Sequence, residues 1–360
     1  MRRSRLVAAV VLGILAMAVG EAPRAAEPAA PAPADSLMFP GETHISNVRQ
    51  LTFGGDNAEA YFSADGRRLT LQSTRGDWPC DQIYTMNVDG SAVRRVSNGR
   101  GRCTCSFYSP DGERIIYSST FAGADTCPPR PDMSAGYTWA VYPTYDIYSV
   151  RPDGSDLRRL NDVPGYNAEA VYSPDGRKIL FTSDREGDLE LYTMNSDGSD
   201  VRRITRALGY DGGAFFSPDG KRIVFRGKHY ADSTTAEARE YLSLLRRHLV
   251  KPLHMELFVC DADGGNLRQI TGNGAANFCP FFHPDGRRII FTSNVAHQKG
   301  MKFDLYLIRD DGTGLERLTN SGGFDAFPMF SPDGKRLVWC STRHAGRAHD
   351  INTFIADWKD

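Results

Sequence analysis

Tyr172-Ser-Pro-Asp-Gly176 is one of six copies of a short phrase that decides the fold. The other five copies end in the same Asp-Gly pair: Phe62-Ser-Ala-Asp-Gly66, Tyr108-Ser-Pro-Asp-Gly112, Phe216-Ser-Pro-Asp-Gly220, Phe282-His-Pro-Asp-Gly286 and Phe330-Ser-Pro-Asp-Gly334. Asp-Gly favours a tight turn because glycine accepts a positive φ. A short β-branched or aromatic stretch follows most copies, as in Lys178-Ile-Leu-Phe181. Each copy therefore predicts a strand, a turn and a second strand.

A second phrase with its own Asp-Gly pair follows the first five copies, as in Leu191-Tyr-Thr-Met-Asn-Ser-Asp-Gly198, and a fourth strand follows it, as in Val201-Arg-Arg-Ile204. Four strands joined by two Asp-Gly turns form one antiparallel sheet. Such a sheet, repeated every 40 to 50 residues or so, is typical of a propeller blade. The sequence therefore predicts an all-β, six-bladed β-propeller.

The two ends of the repeat array predict how the ring closes. The last unit lacks a fourth strand, because residues 350–358 run directly to the C-terminus, whereas an extra strand at residues 47–53 matches the fourth-strand pattern. Pairing of this N-terminal strand in the last blade removes open sheet edges, which would otherwise favour aggregation. We therefore assign residues 45–358 to one closed propeller.

Two insertions lengthen the repeat, at residues 119–144 and 228–254, each between the second and third strands of its blade. Both lie on the face that also carries the crossings between blades, which we call the loop face. The first is rich in proline and aromatic residues and predicts an ordered flap. The second predicts a helix over residues 234–249, capped by Ser233 or Thr234, with an apolar stripe formed by Tyr241, Leu242, Leu245 and Leu249. Either the stripe packs on the ring, or the helix acts as a lid or binds a partner.

The N-terminus predicts export. Residues 1–26 combine early arginines, a short apolar run and small residues, as in a secretory signal peptide, with an uncleaved anchor as the alternative. Residues 27–44 are a Pro/Ala-rich linker. We expect a periplasmic or secreted monomer without stable membrane insertion once the signal is removed. The formal net charge of −1 leaves no basic excess for nucleic-acid binding.

The Ser-Pro-Asp-Gly and second Asp-Gly phrases resemble the WD-like propeller repeats of the TolB family. They are also similar to the propeller domains of the prolyl-oligopeptidase and dipeptidyl-peptidase IV-type families. The resemblance covers residues 45–358 and implies the fold more strongly than an activity. We expect neither the N-terminal domain of TolB nor the hydrolase domain of the peptidases, because residues 27–44 are too few and no Gly-x-Ser-x-Gly turn occurs.

Two sets of residues in the innermost strands are candidates for a ligand site. Six positions before the serine of each first phrase, or its equivalent, stand Asn57, Cys103, Asn167, Asp211, Asn277 and Asp325. Four positions before it stand Glu59, Cys105, Glu169, Gly213, Cys279 and Phe327. Period-two alternation places both sets on one strand face, with the first set as a polar rim at the mouth of the axial channel.

We therefore predict ligand contacts from the polar members of both sets: Asn57, Glu59, Asn167, Glu169, Asp211, Asn277 and Asp325. Carboxylates and amides there could hold a cation, an amine or a peptide terminus. The alternative is that the amides and carboxylates of the first set cap the crossings between blades through hydrogen bonds to the backbone.

The cysteines fall into two groups. Four lie near the loop face of the first two blades and predict at least one disulfide, with three pairings open: Cys80, Cys103, Cys105 and Cys127. Cys260 stands where other repeats carry an apolar residue, such as Met194, and is expected to be a buried apolar substitute, whereas Cys279 and Cys340 are expected to be free thiols.

The sequence favours a binding or scaffold module for an envelope protein, a peptide or a small ligand. We assign no catalytic residue, cofactor or metal. The enzymatic alternative is a metal-assisted lyase or hydrolase that uses channel-mouth carboxylates with loop histidines, such as His297, His344 and His349. A structural scaffold without a small ligand is the third hypothesis.

Overall fold

A computed structural model describes residues 37–76, 78–131, 136–161, 163–297, 301–347 and 350–360. The predicted signal peptide and the linker as far as residue 36 lie outside these residues. The described chain forms six four-stranded antiparallel sheets, which confirms the six-bladed propeller. No helix among the described residues is long and apolar enough to cross a membrane.

The strands of each blade are given from the axis outward, and the first strand of the chain, β1 (Ile45–Gln50), belongs to blade six. Blade one contains β2 (Asp56–Phe62), β3 (Arg68–Thr74), β4 (Gln82–Asn87) and β5 (Arg94–Arg95). Blade two contains β6 (Cys103–Tyr108), β7 (Ile115–Ser119), β9 (Asp146–Val150) and β10 (Arg158–Arg159), with β8 (Trp139–Ala140) in its insertion. Blade three contains β11 (Asn167–Tyr172), β12 (Lys178–Ser183), β13 (Glu190–Asn195) and β14 (Arg202–Arg203).

The last three blades repeat this arrangement. Blade four contains β15 (Gly209–Phe216), β16 (Arg222–His229), β18 (Glu256–Asp261) and β19 (Arg268–Gln269), with α1 (Ala236–Leu245) and β17 (Leu249–Val250) in its insertion. Blade five contains β20 (Asn277–Phe282), β21 (Arg288–Ser293), β22 (Asp304–Arg309) and β23 (Glu316–Arg317). Blade six contains β24 (Asp325–Phe330), β25 (Arg336–Ser341), β26 (Asn352–Trp358) and β1.

The ring closes as predicted, because β1 forms the outermost strand of blade six and pairs antiparallel with β26. The residues just before β1 do not behave as a free linker. Leu37 is buried, and the buried carboxylate of Glu42 pairs with Arg343 at 3.0 Å. Arg343 also contacts Asp325 at 3.2 Å, so the last part of the predicted linker is attached to blade six.

The Asp-Gly turns follow from local chemistry. In the first copy, the Ser63 hydroxyl donates to Asp65 at 2.6 Å, and the Arg67 N–H donates to the same carboxylate at 3.0 Å. Gly66 then takes a φ of 65°, which few other residues tolerate. This turn sets the register of the innermost hairpin.

The two insertions meet on the loop face. Strand β8 pairs with β17, with Ala140 opposite Leu249 and Trp139 opposite Val250. This two-stranded sheet, together with α1, is called the cap below. The disulfide Cys80–Cys127 ties the first insertion to blade one, whereas Cys103 and Cys105 are free thiols.

Helix α1 is shorter than predicted. Thr235, rather than Ser233 or Thr234, caps it by accepting from the Ala238 N–H at 3.1 Å, and the helix ends at Leu245. Leu249 therefore belongs to β17 instead of the helical stripe. The buried residues of the helix are Ala238, Tyr241, Leu244 and Leu245. The apolar side of α1 is thus packed on the protein.

Candidate functional site

A cavity of about 880 Å³ lies on the propeller axis beneath the cap. Aromatic side chains supply much of its wall, among them Tyr61, Trp139, Tyr145, Tyr166, Phe278 and Phe327. Its lining also includes exposed residues, such as Tyr137, Leu253 and Met301, which mark where the cavity meets solvent. The cavity is therefore largely apolar, partly covered and open at one side.

Six backbone bulges form the inner ring of this cavity. In each innermost strand the register shifts, as between Ala58 and Tyr61 of β2, so that two residues face one on the neighbouring strand. At every bulge one residue has a φ between 52° and 59°: Glu59, Cys105, Glu169, Gly213, Cys279 and Phe327. All six line the cavity, and ligand contact by Glu59 and Glu169 stays a prediction.

The first predicted set lies elsewhere. Asn57, Cys103, Asn167, Asp211, Asn277 and Asp325 are completely buried, and none of them lines the cavity. The Asn57 amide donates to the carbonyl oxygens of Gly54 at 3.1 Å and Ile351 at 2.8 Å, and the Asn167 amide donates to Val163 at 3.0 Å. The expected polar rim is therefore wrong at these positions, because the bulge at the second set breaks the period-two alternation.

Two aspartates of the first set have charged partners instead. Asp211 is 2.7 Å from Nε2 of His229, and Asp325 contacts the buried guanidinium of Arg343. Asn277 donates to the Met255 carbonyl at 2.8 Å, at the crossing into blade five. The amide contacts of Asn57, Asn167 and Asn277 with backbone carbonyls match the capping alternative, whereas the two aspartates contact side chains.

Glu169 belongs to a buried cluster that reasoning from the sequence missed. Its carboxylate accepts from the Thr182 hydroxyl at 2.7 Å and from the Gly213 N–H at 2.9 Å, and it pairs with Arg226. Arg226 also donates to the Tyr210 hydroxyl at 2.6 Å. Its guanidinium lies 5.0 Å from the ring centroid of Trp139 in the cap. Arg226 therefore joins two blades and the cap through one buried charge.

The sequence carries two signals for this cluster. Arg226 of β16 lies opposite Gly212 of β15. The residues at the corresponding position of the other blades are uncharged: Gln72, Ser118, Thr182, Thr292 and Cys340. A Cβ atom on Gly213 would collide with the guanidinium. The Gly212-Gly213 pair of blade four leaves space for the Arg226 side chain, which can then pair with Glu169.

Glu59 differs from Glu169 in having no cation beside it. In the described part of the chain, no Lys, Arg or His forms an ion pair with Glu59, and its side-chain partner is the Cys105 thiol. Burial, together with the negative charges of Glu169 and Asp81, raises the pKa of Glu59 to about 7, although the hydrogen bond from Cys105 and the charge of Arg226 partly oppose the shift. Glu59 is therefore a desolvated, unmatched carboxyl group on the cavity wall.

The loop histidines do not join this site. No histidine of the described residues lines the cavity. His297 contacts Asp304 at 3.1 Å, His344 is exposed, and His349 lies outside the described residues. Among the residues that the structure covers, no group of three His, Cys, Asp or Glu side chains could hold a metal ion.

Known proteins share the repeat and the ring. A family model described as the TolB beta propeller domain matches residues 140–241. A curated TolB homologue from Chlorobium luteolum is 26% identical over 35% of this chain and 34% of its own length. Dipeptidyl-peptidase 5 from Porphyromonas endodontalis is 24% identical over 32% of this chain and 14% of its own length. The chain spans about a third or less of the length of these curated relatives.

Solved structures show the same fold. TolB from Acinetobacter baumannii has a TM-score of 0.55 and 18% identity, covering 75% of this chain and 56% of its own. A putative TolB from Agrobacterium tumefaciens has a TM-score of 0.54 and 20% identity, covering 85% of this chain and 91% of its own. The chain is a TolB-like six-bladed β-propeller.

Proposed function

We propose that this protein is an exported binding module that holds a small organic ligand in its axial cavity, beneath the cap. The observation that carries the proposal is the pairing of β8 with β17, by which insertions from two different blades cover the same cavity. Two long insertions that meet over one cavity are difficult to explain by the stability of the ring alone. Loops on a rigid scaffold are the usual place for binding.

The cavity has the dimensions and chemistry of a ligand site. Ligand pockets commonly enclose roughly 300–1,000 Å³, with apolar walls and a few placed polar groups. Here the volume is about 880 Å³, and the ion pair of Glu169 with Arg226 fixes one side of the wall. Such a site is formed before the ligand arrives, which reduces the entropy lost on binding.

The cap favours a small ligand over a protein partner, because the apolar side of α1 is buried. A partner-binding helix would present its apolar stripe to solvent, whereas Tyr241, Leu244 and Leu245 of α1 are buried. The exposed side of α1 carries mainly charged and small residues, including Glu237, Arg239 and Glu240. An envelope protein or peptide bound at the loop face would therefore contact a polar surface beside the cavity.

Export is supported by the signal-like residues 1–26 and by the disulfide Cys80–Cys127, which suits an oxidising compartment. The test is fractionation of cells that express the protein with a C-terminal tag. We expect a shortened protein in the periplasm or the medium. A protein with intact N-terminus in the cytoplasm would contradict export.

Ligand binding is tested by thermal denaturation of the purified protein with a panel of small amines, carboxylates, neutral sugars and short peptides. At least one class should raise the melting temperature, and Cys105→Phe should weaken the effect, because the added ring occupies part of the cavity beside Glu59. The backbone should accept this change, because Phe327 occupies the same bulge position in blade six with a φ of 56°. Val201→Phe, on the exposed surface, is the control. A panel without effect, or an effect of unchanged size in Cys105→Phe, would overturn the proposal.

Acid–base catalysis is a second candidate, favoured by the pKa of Glu59 near 7. A carboxyl group with such a pKa can exchange a proton at neutral pH. Mass spectrometry of the same panel after incubation would reveal product, and Glu59→Gln should eliminate it. Unchanged compounds throughout would leave binding as the function of the cavity.

A further inference from the structure

The structure also indicates the chemical class of the ligand. Resting on the proposed ligand cavity, we propose that the ligand carries a protonated amine that pairs with Glu59, attached to an aromatic or aliphatic body that occupies the rest of the cavity. Two independent observations support this class of ligand: the carboxylate of Glu59 and the aromatic walls of the cavity.

Among the described residues of the cavity wall, one enclosed carboxylate has no cationic partner. Its acidic residues are Asp56, Glu59, Asp81 and Glu169, and its basic residues are Arg102, Arg130 and Arg226. Arg102 pairs with Asp81 at 2.8 Å, and Arg226 pairs with Glu169. Arg130 and Asp56 are both exposed, at the open side. Glu59 is therefore the carboxylate that a ligand cation would meet inside the cavity.

An anionic ligand finds no comparable position. The buried guanidinium of Arg226 already donates to Glu169 and Tyr210 and stacks near Trp139. An anion bound there would have to displace Glu169 from a site with three donors. A cation at Glu59, by contrast, forms a new charge-assisted hydrogen bond and disrupts none between charged groups.

The aromatic walls favour the same ligand. Tyr61 and Tyr166 line the cavity with Trp139 and Phe327. Ammonium groups are attracted to the faces of such rings, most strongly where water is excluded. The remaining volume is apolar and suits a hydrocarbon body. An amine joined to an apolar group thus matches both kinds of wall.

The test is isothermal titration calorimetry at pH 8 with three probes of similar shape: phenethylammonium, 2-phenylethanol and 3-phenylpropionate. We expect phenethylammonium to bind at least about tenfold more tightly than the alcohol, as an added charge-assisted hydrogen bond implies. Glu59→Gln should reduce its affinity to that of the alcohol. Glu113→Gln, an exposed change in a blade-two turn, is the matched control and should leave affinity unchanged.

A tripeptide that begins with Phe, with a free or an acetylated N-terminus, separates the two sources of an ammonium group. If phenethylammonium binds tightly and the free tripeptide does not, the source of the ammonium group is a small amine. If only the free tripeptide binds tightly, the source is a peptide N-terminus. Either result supports the inference. Equal binding of the acetylated tripeptide, the alcohol or the propionate overturns it. Binding of the propionate that Cys105→Phe weakens would still support the proposed ligand cavity, so the failure of this inference and the failure of the proposed function are distinguishable.

Discussion

Replacing Glu59 by Gln should stabilise the protein at pH 8, although the same change should abolish amine binding. Glu59 is a carboxyl group that folding removes from water without giving it a cation. The charged form is therefore less favourable in the folded protein than in the unfolded chain. A neutral amide of the same shape removes that cost and still accepts from the Cys105 thiol.

The size of the effect follows from the shift in pKa. The pKa of Glu59 is about 7 in the folded protein, against an ordinary value of 4.5. Each unit corresponds to about 1.4 kcal/mol, so Glu59→Gln should add up to about 3 kcal/mol to the free energy of unfolding at pH 8. Between pH 4.5 and 7 the unfolded chain ionises first, so the wild-type protein loses this stability as the pH rises through that window. The variant should lack this part of the pH dependence.

Glu169→Gln is the matched control with the opposite sign. It is the same substitution at the same bulge position, two blades away, but it removes the counter-ion of the buried Arg226. Urea denaturation of the three proteins at pH 5 and pH 8 measures both effects. The reasoning fails if Glu59→Gln is no more stable than wild type at pH 8, or if both variants change stability in the same direction.

Further predictions concern the same site and the ring. Phenethylammonium should bind Glu59 about tenfold more weakly at pH 6 than at pH 8, because a group with a pKa near 7 is mostly protonated at the lower pH; calorimetry with equal affinities would contradict this. Arg226→Met should lower the free energy of unfolding by about 3–5 kcal/mol, because it leaves the buried Glu169 without its cation, and a loss below 1 kcal/mol in urea would refute the ion pair. Cys127→Ser should expose the first insertion to limited proteolysis and lower stability by at most about 4 kcal/mol, as expected for a disulfide that closes a loop of 47 residues; an unchanged digest would contradict it. Deleting residues 45–53 should prevent cooperative folding, because it exposes the edge of β26, and a single cooperative thermal transition would be the opposite result.

The fold was predictable because its signals are local. Each Asp-Gly turn is formed by a serine, an aspartate and a glycine within a few residues, as at Ser63, Asp65 and Gly66. The closure by β1 followed from counting strands, since one blade lacked its fourth and one extra strand was present. Both inferences need the repeat and no knowledge of distant contacts.

The site was only partly predictable because it depends on bulges and distant pairing. The alternation rule places Asn57 and Glu59 on one face, but the extra residue at the bulge turns Asn57 toward the blade crossing and Glu59 toward the axis. Gly213 at the same position was a signal, since glycine often marks a bulge. The pairing of β8 with β17 joins segments about 110 residues apart, and no local pattern in either insertion specifies its partner.

The central claim is that a ligand amine meets Glu59 inside the capped cavity. A crystal structure of the protein with para-bromophenethylamine tests it most directly, because the anomalous signal of bromine locates the ring independently of the rest of the ligand. We predict a bromine peak between the aromatic walls, with the ammonium nitrogen about 2.7–2.9 Å from a Glu59 oxygen. A bromine peak outside the cavity, or an ammonium group bound away from Glu59, would contradict the account.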